Sequence, residues 1–241
     1  MEKVMYALWR PDGVDDHAFA RRLIEEVGPA LTGAGAHGVR LNVIDADVAE
    51  GAAPAPAGLR RSTMDPPIAA VASVWVDSAV RHLRQPIDQV FTGRNIRLAG
   101  YLVSESSPLP HPGSPPGRTQ GFTQMAFLRR PARLSREAWL ERWHDHHTDV
   151  AIETQSTFAY RQNLVVDALH ADAPAVDAIV EEGLPITALT DWYAFYDSIG
   201  DDDRFGANVE AMLASTATFL DYETDLDVLP TSEYVIADPF A

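Results

Sequence analysis

Residues 127–147 read FLRRPARLSREAWLERWHDHH. An apolar run ends at Arg129-Arg130-Pro131, and Ser135 stands where a helix would be capped, just before a periodic segment. Trp139, Trp143 and His147 recur every fourth residue, so each lies about 40° round from the last on one helical stripe. Val150 and Ala151 extend that stripe, while Arg136, Glu141, Arg142 and Asp145 fall mostly elsewhere. The reading is a strand, a tight entry and an amphipathic helix over 135–154 that presses two indoles and an imidazole inward. A second strand follows over 158–166 and carries Tyr160-Arg161-Gln162-Asn163.

Outward from this stretch, the same order appears twice. The first half reads as a strand at 4–9, a helix capped by Asp15 and broken at Gly28-Pro29, and strands at 38–44 and 68–76. A small-residue loop over 51–58 separates those two strands. Next come a helix with Val80, Leu83, Ile87 and Val90 inside, and a strand at 96–104. Residues 106–118 carry five prolines and two glycines and read as a linker. The second half gives a strand at 121–128, the helix over 135–154, the strand at 158–166, an insertion over 171–182 and a strand at 187–196. A helix over 203–220 and a strand near 226–236 complete it. At an offset of 120, Leu8, Arg10, Pro11 and Phe19 meet Leu128, Arg130, Pro131 and Trp139. At 121, Arg40 and Asn42 meet Arg161 and Asn163, which marks that pair as part of a shared frame. The expectation is α+β: two fused ferredoxin-like βαββαβ repeats, 1–105 and 119–241 about a linker at 106–118. Their sheets pack into one eight-stranded barrel of the dimeric α+β type.

Composition excludes several classes. The chain has 241 residues, 46% of them apolar, which suits a globular protein. Its formal charge of −16, from 35 acidic and 19 basic residues, argues against nucleic acid or an anionic membrane as partner. No apolar run reaches the roughly 18 residues of a membrane span. The absence of cysteine removes disulfides and thiolate chemistry and agrees with a cytoplasmic setting. GxGxxG, Walker, GxSxG and EF-hand patterns are missing too.

The second half resembles the EthD family of dimeric α+β barrel proteins. The resemblance rests on Arg129-Arg130-Pro131, Leu134 to Trp139, Trp143-His144-Asp145-His146-His147, Tyr160 to Asn163, Asp191 and Asp197-Ser198. It departs from the family where Asp149 replaces the usual proline. The first half keeps the frame but has Leu23 for Trp143 and Val27 for His147, so one site per chain is expected. The resemblance implies cofactor-free lyase or decarboxylase chemistry on an aromatic or polyketide-like molecule; other branches of the superfamily bind haem.

His147 is the expected acid/base, held neutral by desolvation, or a core histidine. Tyr160 and Asp191, the latter placed in the strand at 187–196, join it as catalytic candidates. Trp139, Trp143, Gln162, Tyr193 and Arg129 are the candidate substrate-binding residues. His144 and His146 flank the stripe without metal-site spacing, so no metal is expected. No cofactor is expected either; haem on His147 is the alternative, and a small-molecule carrier without chemistry is the third reading. The partner is a hydrophobic small molecule, with a homodimer left open.

Overall fold

In the computed structural model, which describes residues 1–52, 59–113 and 116–240, the first half forms β1 (Glu2–Trp9), α1 (Asp16–Arg22), α2 (Gly28–Gly33) and β2 (Gly38–Val43). It continues through α3 (Ala46–Ala52), β3 (Ala70–Val76), α4 (Arg81–Thr92) and β4 (Arg97–Leu109). The second half begins with β5 (Gly117–Arg118), β6 (Phe122–Leu128), α5 (Arg136–Leu140), α6 (Thr148–Thr154) and β7 (Ala159–Ala168). β8 (Ala178–Leu184), α7 (Trp192–Phe195), α8 (Asp202–Phe219) and β9 (Leu226–Ala237) follow. Strand neighbours run β2-β3-β1-β4-β7-β8-β6-β9, and β9 pairs back onto β2, closing an eight-stranded barrel in which every pair is antiparallel. The short β5 adds to β9. No helix among the described residues is long and apolar enough to cross a membrane.

Period-two alternation divides the apolar residues into an interior and two outer layers. Met5, Ala7, Met125, Phe127 and Ile179 point inward. Val4, Tyr6 and Leu8 point outward under Phe19, Leu23, Val27 and Phe91. Leu128, Tyr160, Val180 and Val228 point outward under Trp139, Trp143, Ala151 and Phe219. Both indoles are fully buried, each contributing about 4–6 kcal/mol of transfer free energy. The interior also holds a charged belt: Lys3 Nζ donates to Glu105 (2.5 Å), Glu181 (2.7 Å) and Asn163 (2.8 Å), and Arg161 Nη1 to Glu181 (3.0 Å) and Glu233 (2.6 Å). Arg161 and Asn163 therefore serve the barrel.

Four sequence expectations change. The first helix does not break at Gly28-Pro29: a π-helical turn, Leu23–Val27, leads into α2, whose first turn takes Pro29 where its missing N–H matters little. Gly28 is there for space, since a Cβ would lie 2.9 Å from Ile236. The α4 helix is rotated from its expected face, so Val80 and Leu83 are exposed and Arg84, Ile87, Val90 and Phe91 are buried. Arg84 is tolerated there because its Nε–H donates to Asp88 (3.1 Å). The third strand of the second half is β8, which begins within the expected insertion and ends two residues past it; residues 186–189 form a 3-10 turn and 192–195 form α7 instead. Asp191 caps α7, accepting from Tyr193 N (2.8 Å), rather than lying in a strand. Finally, β4 runs through Leu109, so residues 106–109 of the expected linker are strand. Residues 114–115, and 53–58 of the small-residue loop, lie outside the described residues.

Candidate active site

β6, β8 and β7 are neighbours, and their register sets Gln124 opposite Glu182 and Glu182 opposite Tyr160. These three side chains form a polar row on the outward face of the sheet, under the second-half helices. On β1, β3 and β2 the matching row is Val4, Val74 and Val39, paired in the same way and fully buried. The helices above differ in parallel. Each half has a π-helical turn in the same place, holding Leu23 and Val27 in one and Trp143 and His147 in the other. One layer is thus apolar at five positions where the other carries Gln, Glu, Tyr, Trp and His.

Between this row and the helices lies a partly open cavity of about 130 Å³. Trp143, Phe195, Tyr196, Met212 and Phe219 wall it; His147, Tyr160, Glu182, Gln124 and Gln155 are its main polar groups, and no Lys or Arg among the described residues lines it. The space exists because α8 packs loosely: Phe219 is its only fully buried residue, and Met212, Ser215 and Thr216 on the same face are half-buried.

His147 is buried at the end of the π-helical turn, its Nδ1 2.9 Å from Ser215 Oγ and its ring 4.5 Å from Phe219. Burial lowers its pKa to about 4, so the ring is neutral at pH 7. Its Nε2 has no hydrogen-bond partner among the described residues. Burial acts oppositely on Glu182 and raises its carboxyl to about 7. Thr157 Oγ1 donates to Glu182 Oε1 (2.5 Å), and the Gln155 amide, oriented to satisfy both acceptors, donates to Oε1 (2.8 Å) and the Ala151 carbonyl (3.2 Å). Both donors reach Oε1, leaving Oε2 without one among the described residues. Tyr160, beside Trp143 and Gln162, is pushed well above its ordinary pKa by burial and Glu182. Among the described residues the Trp143 Nε1–H has no acceptor and the Gln124 Oε1 no donor. The cavity therefore offers a proton acceptor poised near pH 7, a neutral imidazole, and unpaired polar groups on an aromatic wall.

Of the sequence candidates, His147, Tyr160 and Trp143 meet here. Trp139 packs behind Trp143, ring centroids 5.1 Å apart, and does not line the cavity. Gln162 sits one step along from Tyr160 and donates to Thr148 Oγ1 (2.7 Å), holding the helix to the sheet. Three candidates lie elsewhere. Arg129 is ion-paired with Asp227 and donates to the Ala175 carbonyl (3.0 Å), which commits its guanidinium to tying strand ends together. Tyr193 stacks on Phe205 (4.4 Å) and donates to Asp202 (3.0 Å) at the start of α8. Asp191 is an exposed cap. Sequence reasoning missed Glu182, Gln124 and Gln155; the available signal was Glu181-Glu182 within an apolar run, two acids that a strand must send to opposite faces.

No protein-family model and no curated protein sequence matches the chain. Among solved structures, an anthrone oxidase-like protein superposes with a TM-score of 0.55 at 10% identity, over 97% of this chain and 91% of its own. A chlorite dismutase-like protein gives 0.41 at 10% identity, over 99% and 96%. The first of these likenesses concerns the fold alone, an eight-stranded antiparallel barrel closed within one chain.

Proposed function

We propose that this chain is an EthD-like, cofactor-independent cytoplasmic enzyme in which two ferredoxin-like repeats, 1–105 and 119–241, build the barrel and only the second carries a site. Its substrate is a hydrophobic small molecule, aromatic or polyketide-like, that enters the partly open cavity with one ring. Its chemistry is proton transfer next to a carbonyl, of the kind lyases use. One observation carries the reading: at matched positions of one frame, five apolar side chains are replaced by Trp143, His147, Gln124, Glu182 and Tyr160 around a cavity. A core seldom keeps such groups without a use for them, because each desolvated polar atom left unpaired costs about 1–3 kcal/mol. His147 presents a neutral ring with Nε2 free, Trp143 forms the wall, and Tyr160 supplies a donor.

Haem on His147 is not favoured. A cavity of about 130 Å³ matches the roughly 150 Å³ hole that holds one benzene, and among the described residues no Lys or Arg lines it to meet propionates. The residues present do not fit a haem. The test is to titrate neutral aromatic carbonyl compounds into the wild type and His147→Ala, following indole fluorescence and turnover together. Binding with turnover that falls in the variant supports the enzyme. Binding with the ligand returned unchanged makes the chain a carrier, and no binding at all removes the reading.

A further inference from the structure

The cavity contains a second titratable group, and its placement differs from that of His147. The His147 Nδ1 is tied to Ser215, and the ring leans on Phe219 at one edge of the space. Glu182 is the centre of the row, between Gln124 and Tyr160, with Oε1 anchored by Thr157 and Gln155 and Oε2 unpartnered. Among the described residues no Lys or Arg lines the cavity to compensate it. Resting on the reading of this cavity as the active site, we infer that Glu182 rather than His147 takes the substrate's proton, and that the substrate is an uncharged carbon acid presenting one aromatic ring, not a carboxylate.

Charge decides the substrate class. An ionised Glu182 repels a second carboxylate within a few ångströms, and in a desolvated site nothing screens the repulsion. A neutral ketone meets no such barrier, and one ring fills the space. In the step itself, the C–H bond next to the carbonyl breaks and its proton passes to Glu182 Oε2. The electron pair moves into the enolate, and the Trp143 Nε1–H and the Tyr160 hydroxyl are the donors on that wall available to its oxygen. Return of the proton to the same carbon gives exchange; return to another gives a tautomer. Nothing else is consumed. The shift of Glu182 to about 7 matches its proton affinity to such a task near neutral pH.

The experiment compares phenylacetone with phenylacetate, near-equal in shape and different in charge, at about pH 8, where most of Glu182 is ionised. The ketone is expected to bind the wild type at least about tenfold more tightly. Glu182→Gln is expected to lose that preference and to lose benzylic hydrogen–deuterium exchange by about a hundredfold or more. Should Glu182→Gln not fold, the wild-type pH profile decides: exchange rises with a midpoint near 7, and His147→Ala keeps that midpoint whatever its rate. Equal affinity for the two probes, undiminished exchange in Glu182→Gln, or a midpoint near 4 would overturn the assignment while leaving the cavity as a binding site. Failure of both probes to bind the wild type would sink the site reading as well.

Discussion

Replacing Glu182 by Gln keeps the shape of the side chain and removes one ionisation, so its effect on stability should change with pH. Burial holds this carboxyl at about 7 in the folded protein, against 4.5 for a free side chain. The folded chain therefore grips the proton more tightly than the unfolded chain. The contribution is intact below about 4.5 and is lost as pH rises through 7. Each pH unit in that window is about 1.4 kcal/mol, roughly 3 kcal/mol in all, against a typical total of about 5–15 kcal/mol. His147 runs the other way. Its pKa falls from 6.5 to about 4, so its contribution is intact above 6.5 and is lost as pH drops toward 4. Neither group contributes to the other's shift, and the two slopes overlap with opposite sign, so each masks the other in the wild type. His111 and His144, also lowered by burial, tilt the curve in the same direction as His147. Comparing wild type with Glu182→Gln cancels every slope except that of Glu182. The assay is urea unfolding of both proteins at about pH 5.5, clear of the sequence pI near 4.7, and again at about pH 8. The variant should gain roughly 2 kcal/mol over the wild type between the two conditions. A difference that stays the same within about 0.5 kcal/mol would mean that Glu182 is already ionised in the folded protein at the lower pH, and would refute the desolvation argument.

The mirror experiment is His147→Phe, which keeps an aromatic ring against Phe219 and removes the opposite slope: relative to the wild type it should gain about 1–2 kcal/mol at pH 5.5 over pH 8, read from the same urea curves. Glu181→Gln strips the interior belt of the carboxylate shared by Lys3 and Arg161, and should lower stability at pH 7 by about 3–5 kcal/mol, seen as a lower urea midpoint at unchanged slope. Ala126→Leu projects into the cavity from β6; it should abolish ring binding by calorimetry while shifting stability by only about 1 kcal/mol, since the added methyls enter existing space.

Much of the frame was legible because alternation and helical periodicity are local signals. Seven barrel strands, the Ser135 cap and the buried face of Trp139, Trp143 and His147 follow from them. The eighth strand was not legible. Trp192 to Tyr196 has strand-like aromatic content, yet Asp191 caps it into a helical turn. Glu181-Glu182-Gly183 resembles a turn but is strand, because Lys3 and Arg161 neutralise one acid and desolvation protonates the other near neutral pH. A constant offset of 120 between the halves hid this: the β1–β3 and β6–β8 pairings set Val74 against Glu182, an offset of 108. The site was half visible for the same reason. His147 and Trp143 lie on the well-read helix, whereas Glu182 lies on the misassigned strand, and its pairing with Gln124 and Tyr160 is a tertiary fact.

The asymmetry between the outer layers follows from closing the barrel within one chain. In a barrel made by two identical chains, any residue that opens a cavity in one layer opens it in both, and both layers lose packing. Here the first layer packs Val4, Val39 and Val74 against Leu23 and Val27 with no exposed surface. The second leaves α8 half-buried over a row that desolvates Glu182 and His147. At pH 7 the imidazole is neutral and the carboxyl is only half ionised, so the layer avoids burying a full unpaired charge while keeping a proton acceptor ready. Glu182→Val, which places there the residue that the matched position of the first half carries as Val74, should therefore raise the urea midpoint and empty the site of its chemistry, as expected when residues are retained against the preference of the core.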